Sequence, residues 1–158
     1  RAPGSWYNEL AKILDKYDAL KPKMEGALKE GIRIVLSTIE SQAQKVREYP
    51  QDIAQVDDIL LILEQQGHKF TTDPNSMRGK LLANYRKTKS IELDIQEETT
   101  ELGRSVGKLQ EELRLGGWVD EETLRSALRS LKAIDRKYRE IYQEIKGPLE
   151  TLEAQIPH

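Results

Sequence analysis

The chain has 158 residues, enough for one domain, and its net charge of −2 favours neither nucleic acid nor an anionic membrane as a partner. It contains no cysteine, which excludes a disulfide scaffold and thiol chemistry. Charged residues make up 33% of the chain and aromatic residues 6%, a composition typical of long helices with thin apolar seams.

Two apolar stripes predict helices in the N-terminal third. The first covers residues 6–24 in alternating steps of four and three, and the second covers residues 28–46. Pro22 falls inside the first stripe, where it removes one backbone donor and crowds the preceding turn. Two arrangements satisfy this pattern: one kinked continuous helix, or two helices that meet near Lys21.

A shorter helix is predicted over about residues 52–66, after a break at residues 48–51. Its residues 60–63, Leu-Leu-Ile-Leu, are apolar around nearly the whole helix, which indicates burial between neighbouring helices. Phe70 lies in the loop that follows, and we expect its ring to fold onto the bundle.

The longest amphipathic stretch, residues 75–156, predicts two helices that fold back on each other as the core of the domain. Gly116 and Gly117 end the first arm, because glycine accepts the left-handed conformation that follows many helices. Asp120 is placed to cap the second arm. The predicted seam consists of Met77, Leu81, Ile91, Ile95, Leu102, Val106, Leu109 and Leu113, then Leu124, Leu128, Leu131, Ile134, Tyr138, Ile141, Ile145, Leu149, Leu152 and Ile156.

Charge patterning sets the register of this hairpin. If the turn centres near Gly117, facing residues have numbers that sum to roughly 234, and opposite charges then lie side by side. The basic run at 78–89 faces acidic residues at 144–153, and the acidic run at 92–101 faces basic residues at 136–139. These pairs predict an antiparallel arrangement of the two arms.

Two features depart from this pattern. Thr88, Glu98 and Thr99 weaken the first stripe, and steps of four from Glu98 through Leu102 to Val106 indicate a stutter in a coiled coil. Beside the turn, the glutamates at 111–112 approach those at 121–122, so the charges no longer match.

The segment 115–124, Leu-Gly-Gly-Trp-Val-Asp-Glu-Glu-Thr-Leu, followed by Leu128 and Leu131, resembles the junction between the second and third helices of spectrin-type repeats. The resemblance covers residues 75–156 and implies an antiparallel helical architecture. Spectrin-type repeats carry a core tryptophan in the middle of their first helix, whereas here Trp6 begins the chain and Trp118 lies in a turn. The resemblance therefore carries no functional residue over to this chain.

Catalytic, cofactor and metal sites are not predicted. His68 has no second ligand nearby, whereas a zinc site needs three or four donors. Asp57 and Asp58 are adjacent helical positions that point about 100° apart, as on a solvated helix face. The basic residues at 78–89 are candidates for phosphate contacts, but they face acidic partners in the predicted hairpin, so nucleic acid is not an expected ligand.

The candidate partner-binding residues are Trp6, Trp118 and Phe70. Each tryptophan lies at the end of a predicted helix, where burial is often incomplete. One interpretation is a packed end-cap of the bundle, and the other is an aromatic anchor for a partner protein, since tryptophan is enriched at interface hot spots.

The sequence therefore predicts an all-α fold: a spectrin-like, elongated antiparallel helical bundle or coiled coil with three long helices and one shorter helix. We expect residues 1–158 to form one domain of a larger protein, with a hairpin core at 74–156 and helices from 5–67 packed on it. No run of residues approaches the length and apolarity of a transmembrane helix, so we expect a cytoplasmic protein without membrane contact.

The expected function is that of a non-enzymatic scaffold, tether or adaptor in a larger cytoskeletal, motor or trafficking protein. Its partners would be other proteins, and self-association is left open. Two alternatives are a peptide-binding adaptor with a groove between helices and a regulatory subunit of an enzyme assembly. An apolar groove rimmed by charges would favour the peptide-binding adaptor over a scaffold that needs no groove.

Overall fold

The computed structural model describes residues 5–65, 77–147, 150 and 154, with side chains described except at 59–60, 62–64, 77–78, 80–82, 85 and 145. Over these residues five helices follow one another: α1 (Trp6–Ala27), α2 (Arg33–Val46), α3 (Tyr49–Gln65), α4 (Met77–Gly116) and α5 (Glu121–Ile141). A 3₁₀ turn at Glu30–Ile32 precedes α2, and a π-helical turn at Tyr142–Lys146 follows α5. The described residues contain no strand, so the all-α prediction is confirmed for them.

Helix α1 continues through Pro22, which lies on the solvent side of the helix. The buried stripe of α1 extends to Met24, whose side chain is fully buried, and this packing outweighs the loss of one backbone hydrogen bond. The helix ends only where Leu28 and Lys29 become extended, with ψ angles of 138° and 153°. Of the two predicted arrangements, neither is correct as stated: α1 is continuous through Pro22 but ends at Ala27, and the two helices meet at residues 28–32 rather than near Lys21.

Helices α1 and α2 form an antiparallel pair. Lys21 lies 3.5 Å from Glu40, and Asp18 on the preceding turn of α1 pairs with Arg47 just beyond α2. Asp18, which comes before Lys21, pairs with Arg47, which comes after Glu40, so the two segments run in opposite directions. These partly exposed ion pairs contribute little energy, but they show the direction of the two helices.

Helices α4 and α5 form the second antiparallel pair, as the charge pattern predicts. Lys87 bonds Glu144 at 2.7 Å, and Asp94 lies 3.5 Å from Lys137. Near the turn, Lys108 lies 3.9 Å from Asp120. Each step along α4 toward the turn is matched by a step back along α5, so the antiparallel register is confirmed.

The two pairs pack side by side, α1 against α4 and α2 against α5. Gly103 lets α1 and α4 approach closely: a Cβ at this position would lie 3.1 Å from Cδ1 of Ile13. The connection between α1 and α2 and the turn between α4 and α5 lie at the same end of the bundle, where both line one cavity. We call this the turn end.

The predicted seam is buried wherever its side chains are described, with two exceptions and one correction. Leu113 and Leu128 are half-buried rather than buried. The stripe on α4 passes through Thr99, not Glu98, and Thr88 and Thr99 extend it rather than weaken it, because both are buried. Their hydroxyls donate to the carbonyls of Asn84 and Ile95, four residues earlier, at 2.9 Å, which satisfies the polar atoms inside the core.

Helix α3 begins three residues earlier than predicted, at Tyr49, and ends at Gln65. The break before it is confined to Arg47 and Glu48, and Pro50 follows in the first turn of α3, where its missing N–H is tolerated. The prediction that the apolar run at 60–63 is buried is wrong for Leu61, whose side chain is 43% exposed. The side chains of Leu60, Ile62 and Leu63 in that run are not among those described. The same holds for the side chains of the predicted seam residues Met77, Leu81, Ile145, Leu149, Leu152 and Ile156.

Candidate partner-binding site at the turn end

The turn between α4 and α5 is built by local sequence signals. Gly117 has a φ of 71°, the left-handed conformation predicted from the glycine pair. Val119 and Leu124, which flank the start of α5, are both buried and hold the entering chain against the bundle. Trp118 lies between Gly117 and Val119, so the direction of the chain is fixed on both sides of this residue.

Glu112 secures the turn from α4. Its carboxylate accepts a hydrogen bond from the backbone N–H of Asp120 at 2.6 Å and another from the hydroxyl of Thr123 at 2.9 Å. Asp120 occupies the predicted N-cap position but makes no side-chain cap to α5, and Glu112 holds this helix start instead. The expected clash of acidic groups beside the turn is thus replaced by a bond between the arms.

The other acidic groups at the turn have cationic partners. Glu121 bonds Arg125 at 2.8 Å, and Glu122 bonds Arg129 at 2.9 Å. Glu111 pairs with Arg114, and this hydrogen bond lowers the pKa of the Glu111 carboxyl below its ordinary value. The acidic residues around the turn therefore carry little unpaired charge toward solvent.

Beside this turn lies an open, mainly apolar groove of about 780 Å³. Ile32 and Val119 are buried at its floor, whereas Leu115 is 70% exposed and Trp118 is 57% exposed. Exposed apolar side chains that line a cavity differ from scattered surface leucines, because a partner can cover them together. Its lining residues are Lys29, Ile32, Lys108, Glu112, Leu115, Gly116, Trp118, Val119, Asp120 and Glu121.

Lys29 reaches this groove from the connection between α1 and α2. Its Nζ lies 4.5 Å from the centroid of the Trp118 ring, within the range of a cation–π interaction. The extended backbone at Lys29 places its side chain next to a ring that lies far along the chain. Sequence reasoning missed Lys29, because no local pattern links it to Trp118, and it missed Leu115, which lies just off the predicted seam.

Of the three partner-binding candidates predicted from the sequence, only Trp118 is exposed at the groove among the described residues. Trp6 is 5% exposed and packs edge-on against Tyr7, so its side chain is buried rather than displayed to a partner. It begins α1, whereas the turn end lies beyond the other end of this 22-residue helix, about 30 Å away. Trp118 is exposed at the groove. Phe70 lies outside the described residues.

A second aromatic cluster joins α3 to α5, and its two stacked rings are buried. Tyr49 and Tyr138 stack with ring centroids 3.7 Å apart, and their hydroxyls donate to Asp135 and Asp52 respectively, the second at 2.8 Å. Burial raises the pKa of both tyrosine hydroxyls, and the hydrogen bonds to the carboxylates add to this rise. Arg139 lies 3.0 Å from Asp135 and balances its charge. This arrangement holds α3 against α5.

The described residues show neither a metal-binding cluster nor a membrane-spanning helix. Over the described residues, no group of three or more His, Cys, Asp or Glu side chains is placed to hold a metal ion. None of the described helices combines the length and apolarity that crossing a bilayer requires. Neither finding concerns the segments outside the described ranges.

No family model, curated protein or solved structure matches this chain.

Proposed function

We propose that this chain is a protein–protein interaction module without catalytic activity of its own, and that it binds a partner through the turn-end groove. The exposure of Leu115 and Trp118 at one apolar cavity carries the proposal. Leaving these side chains in water is unfavourable, and covering them would gain about 25 cal/mol per Å² of apolar area. Tryptophan anchors of this kind dominate the energy of many protein interfaces.

The shape of the groove favours an adaptor that binds a peptide segment. An apolar floor and a charged rim, with Lys29, Lys108 and Glu121 among the lining residues, meet the criterion stated above for such an adaptor. A scaffold that acts only through its length would have no need of an open apolar cavity. The groove lies at one end of the bundle, between two helix connections, rather than along a seam between helices.

We also propose a broader setting for this module. The resemblance of residues 115–124 to a spectrin-type helix junction and the antiparallel α4–α5 pair support a place in a larger cytoplasmic protein of the cytoskeletal, motor or trafficking class. In such a protein the helical bundle would hold the groove at a fixed distance from neighbouring domains.

Comparative affinity capture tests the proposal. The parent protein carrying Leu115→Ala and Trp118→Ala is compared with the wild type, and captured proteins are quantified by mass spectrometry. The matched control carries Leu93→Ala and Tyr142→Ala, which remove apolar side chains that are 62% and 51% exposed elsewhere on the surface.

We expect a discrete set of proteins to be lost from the groove variant and kept by the control. A candidate from that set is then purified, and its direct binding to the chain is measured. Equal capture by the wild type and the groove variant would contradict the proposed function, as would equal loss from both variants.

A further inference from the structure

The charged side chains that line the turn-end groove differ in whether they already have an oppositely charged or hydrogen-bonding partner within the chain. Glu112 accepts two hydrogen bonds from the start of α5, Asp120 lies beside Lys108, and Glu121 bonds Arg125. The carboxylates that line the groove are therefore already engaged within the chain. A basic partner would have to compete with these internal contacts.

Lys29 differs from the other charged groups of the lining. Its ammonium faces the Trp118 ring, and among the described residues it forms no ion pair with a carboxylate. The neighbouring Glu30 pairs with Arg33 at 3.2 Å, so the nearest acidic residue in sequence is engaged elsewhere. An ammonium carries three donors, and the ring face occupies one side of it.

Lys29 is exposed and lines the same groove as the apolar side chains of Leu115 and Trp118. A partner side chain that covers Trp118 must pass next to the ammonium and remove part of its water. Desolvation of an unpaired charge is unfavourable, and a carboxylate from the same partner would compensate for it. A partner that fits this groove therefore needs both an apolar side chain to cover Trp118 and a carboxylate to pair with Lys29.

We infer that the turn-end groove takes a segment of a partner protein that combines a bulky apolar side chain with a neighbouring Asp or Glu. The apolar side chain packs against Leu115 and Trp118, and the carboxylate pairs with Lys29. This inference rests on the proposed function and specifies its partner chemistry. A neutral apolar segment would leave Lys29 desolvated without a partner, and a basic segment would repel it.

A display library of short random peptides provides the probe. Peptides are selected on the wild-type chain, and binders that also bind the Leu115→Ala, Trp118→Ala variant are removed. We expect the remaining peptides to be enriched in a large aliphatic or aromatic residue within a few positions of Asp or Glu. The tightest peptide is then synthesised for titration calorimetry.

Three substitutions measure the two parts of the contact. Trp118→Ala should weaken the peptide about thirtyfold or more, as expected for an interface hot spot. Lys29→Met keeps an apolar stem beside the ring and should weaken binding about two- to fivefold, the range of an exposed ion pair. Lys45→Met, at an exposed lysine in α2, is the matched control and should leave the affinity unchanged. The weakening by Lys29→Met should shrink as salt is added, because salt screens the charge pair.

Several results would overturn the inference. Selected peptides without acidic residues, or peptides that bind the Lys29→Met variant and the wild type equally, would show a purely apolar groove while leaving the proposed function intact. An absence of peptides that distinguish wild type from the groove variant would rule out this ligand chemistry. A dimer of the chain that is lost on Trp118→Ala in sedimentation experiments would identify a second copy as the occupant.

Discussion

The turn end and the α3–α5 junction both contain aromatic side chains at the ends of helices or between them. The stacked rings at the junction are buried, whereas the ring at the turn end is exposed. At the junction, the stacked rings of Tyr49 and Tyr138 are buried, and each hydroxyl donates to an aspartate of the other helix. At the turn end, Trp118 remains 57% exposed and faces a lysine rather than a packed helix. The contrast indicates that the first cluster stabilises the fold and the second is available to a partner.

The largest test of this contrast removes one ring from each region. Tyr138→Ala should lower the free energy of unfolding by about 3–5 kcal/mol, because it opens a cavity and takes away the hydrogen bond to Asp52. Trp118→Ala should cost under about 1 kcal/mol, because the ring is largely exposed. Urea unfolding of the two variants measures both values, and equal losses would contradict the distinction.

The seam of α5 offers a graded comparison. Leu131→Ala removes a side chain that is 1% exposed and should cost about 2–5 kcal/mol. Leu128→Ala should cost less, because Leu128 is only partly buried against the core. Arg136→Ala on the exposed face should cost under about 1 kcal/mol. Thermal unfolding in that order supports the assigned seam, whereas a harmless Leu131→Ala would mean that this face of α5 is not core.

Alkaline pH should weaken the folded bundle, including the Tyr49–Tyr138 junction. Burial raises the pKa of Tyr17, Tyr49 and Tyr138 above their ordinary value of 10.0. In the unfolded chain these hydroxyls ionise near pH 10, so the unfolded state then holds fewer protons than the folded state. Their contribution to stability is therefore fully present below about pH 10 and is lost as the pH rises above it.

Ultraviolet absorbance of tyrosinate and circular dichroism, followed together during alkaline titration, check this expectation. Part of the tyrosine ionisation should coincide with loss of helix. Complete ionisation of all tyrosines while the helical signal stays native would show that the rings are not held as described. Titration of the Tyr49→Phe, Tyr138→Phe variant serves as the control, since its coincident step should be smaller.

The smallest expected effects concern two glycines of the α4–α5 hairpin. Gly117→Ala should destabilise the chain by about 1–2 kcal/mol, because the left-handed φ places a Cβ too close to the following carbonyl. Gly107→Ala, in the middle of α4 with open space around the added Cβ, should stabilise it by about 0.5–1 kcal/mol. Calorimetric melting of the two variants decides the sign of each change, and a destabilised Gly107→Ala variant would contradict the open surface assigned there.

Much of the bundle could be predicted because it depends on local signals. The spacing of apolar residues identified most of the buried seam, and the glycine pair located the turn at Gly117. The charge runs gave the antiparallel register that Lys87–Glu144 and Asp94–Lys137 now show. The spacing failed at Thr99, because a buried threonine that bonds its own helix behaves as a core residue although its hydroxyl is polar.

The N-terminal boundary shows the limit of local reasoning. Pro22 indicated either a kink or a helix break near Lys21, but the loss of one hydrogen bond at a solvent-facing position was outweighed by continued burial through Met24. The break occurs instead at residues 28–29, and this position brings Lys29 to the turn end. No local signal revealed that consequence.

The sequence by itself determined that this protein is helical, where α4 and α5 reverse direction and which stripes they bury, since all of these follow from residues within a few turns of one another. Only the tertiary structure decided that Trp6 is buried, that Trp118 is exposed and that Lys29 lies over the Trp118 ring. Burial and charge pairing depend on what the rest of the chain brings to a residue. Neither can be read from the spacing around it.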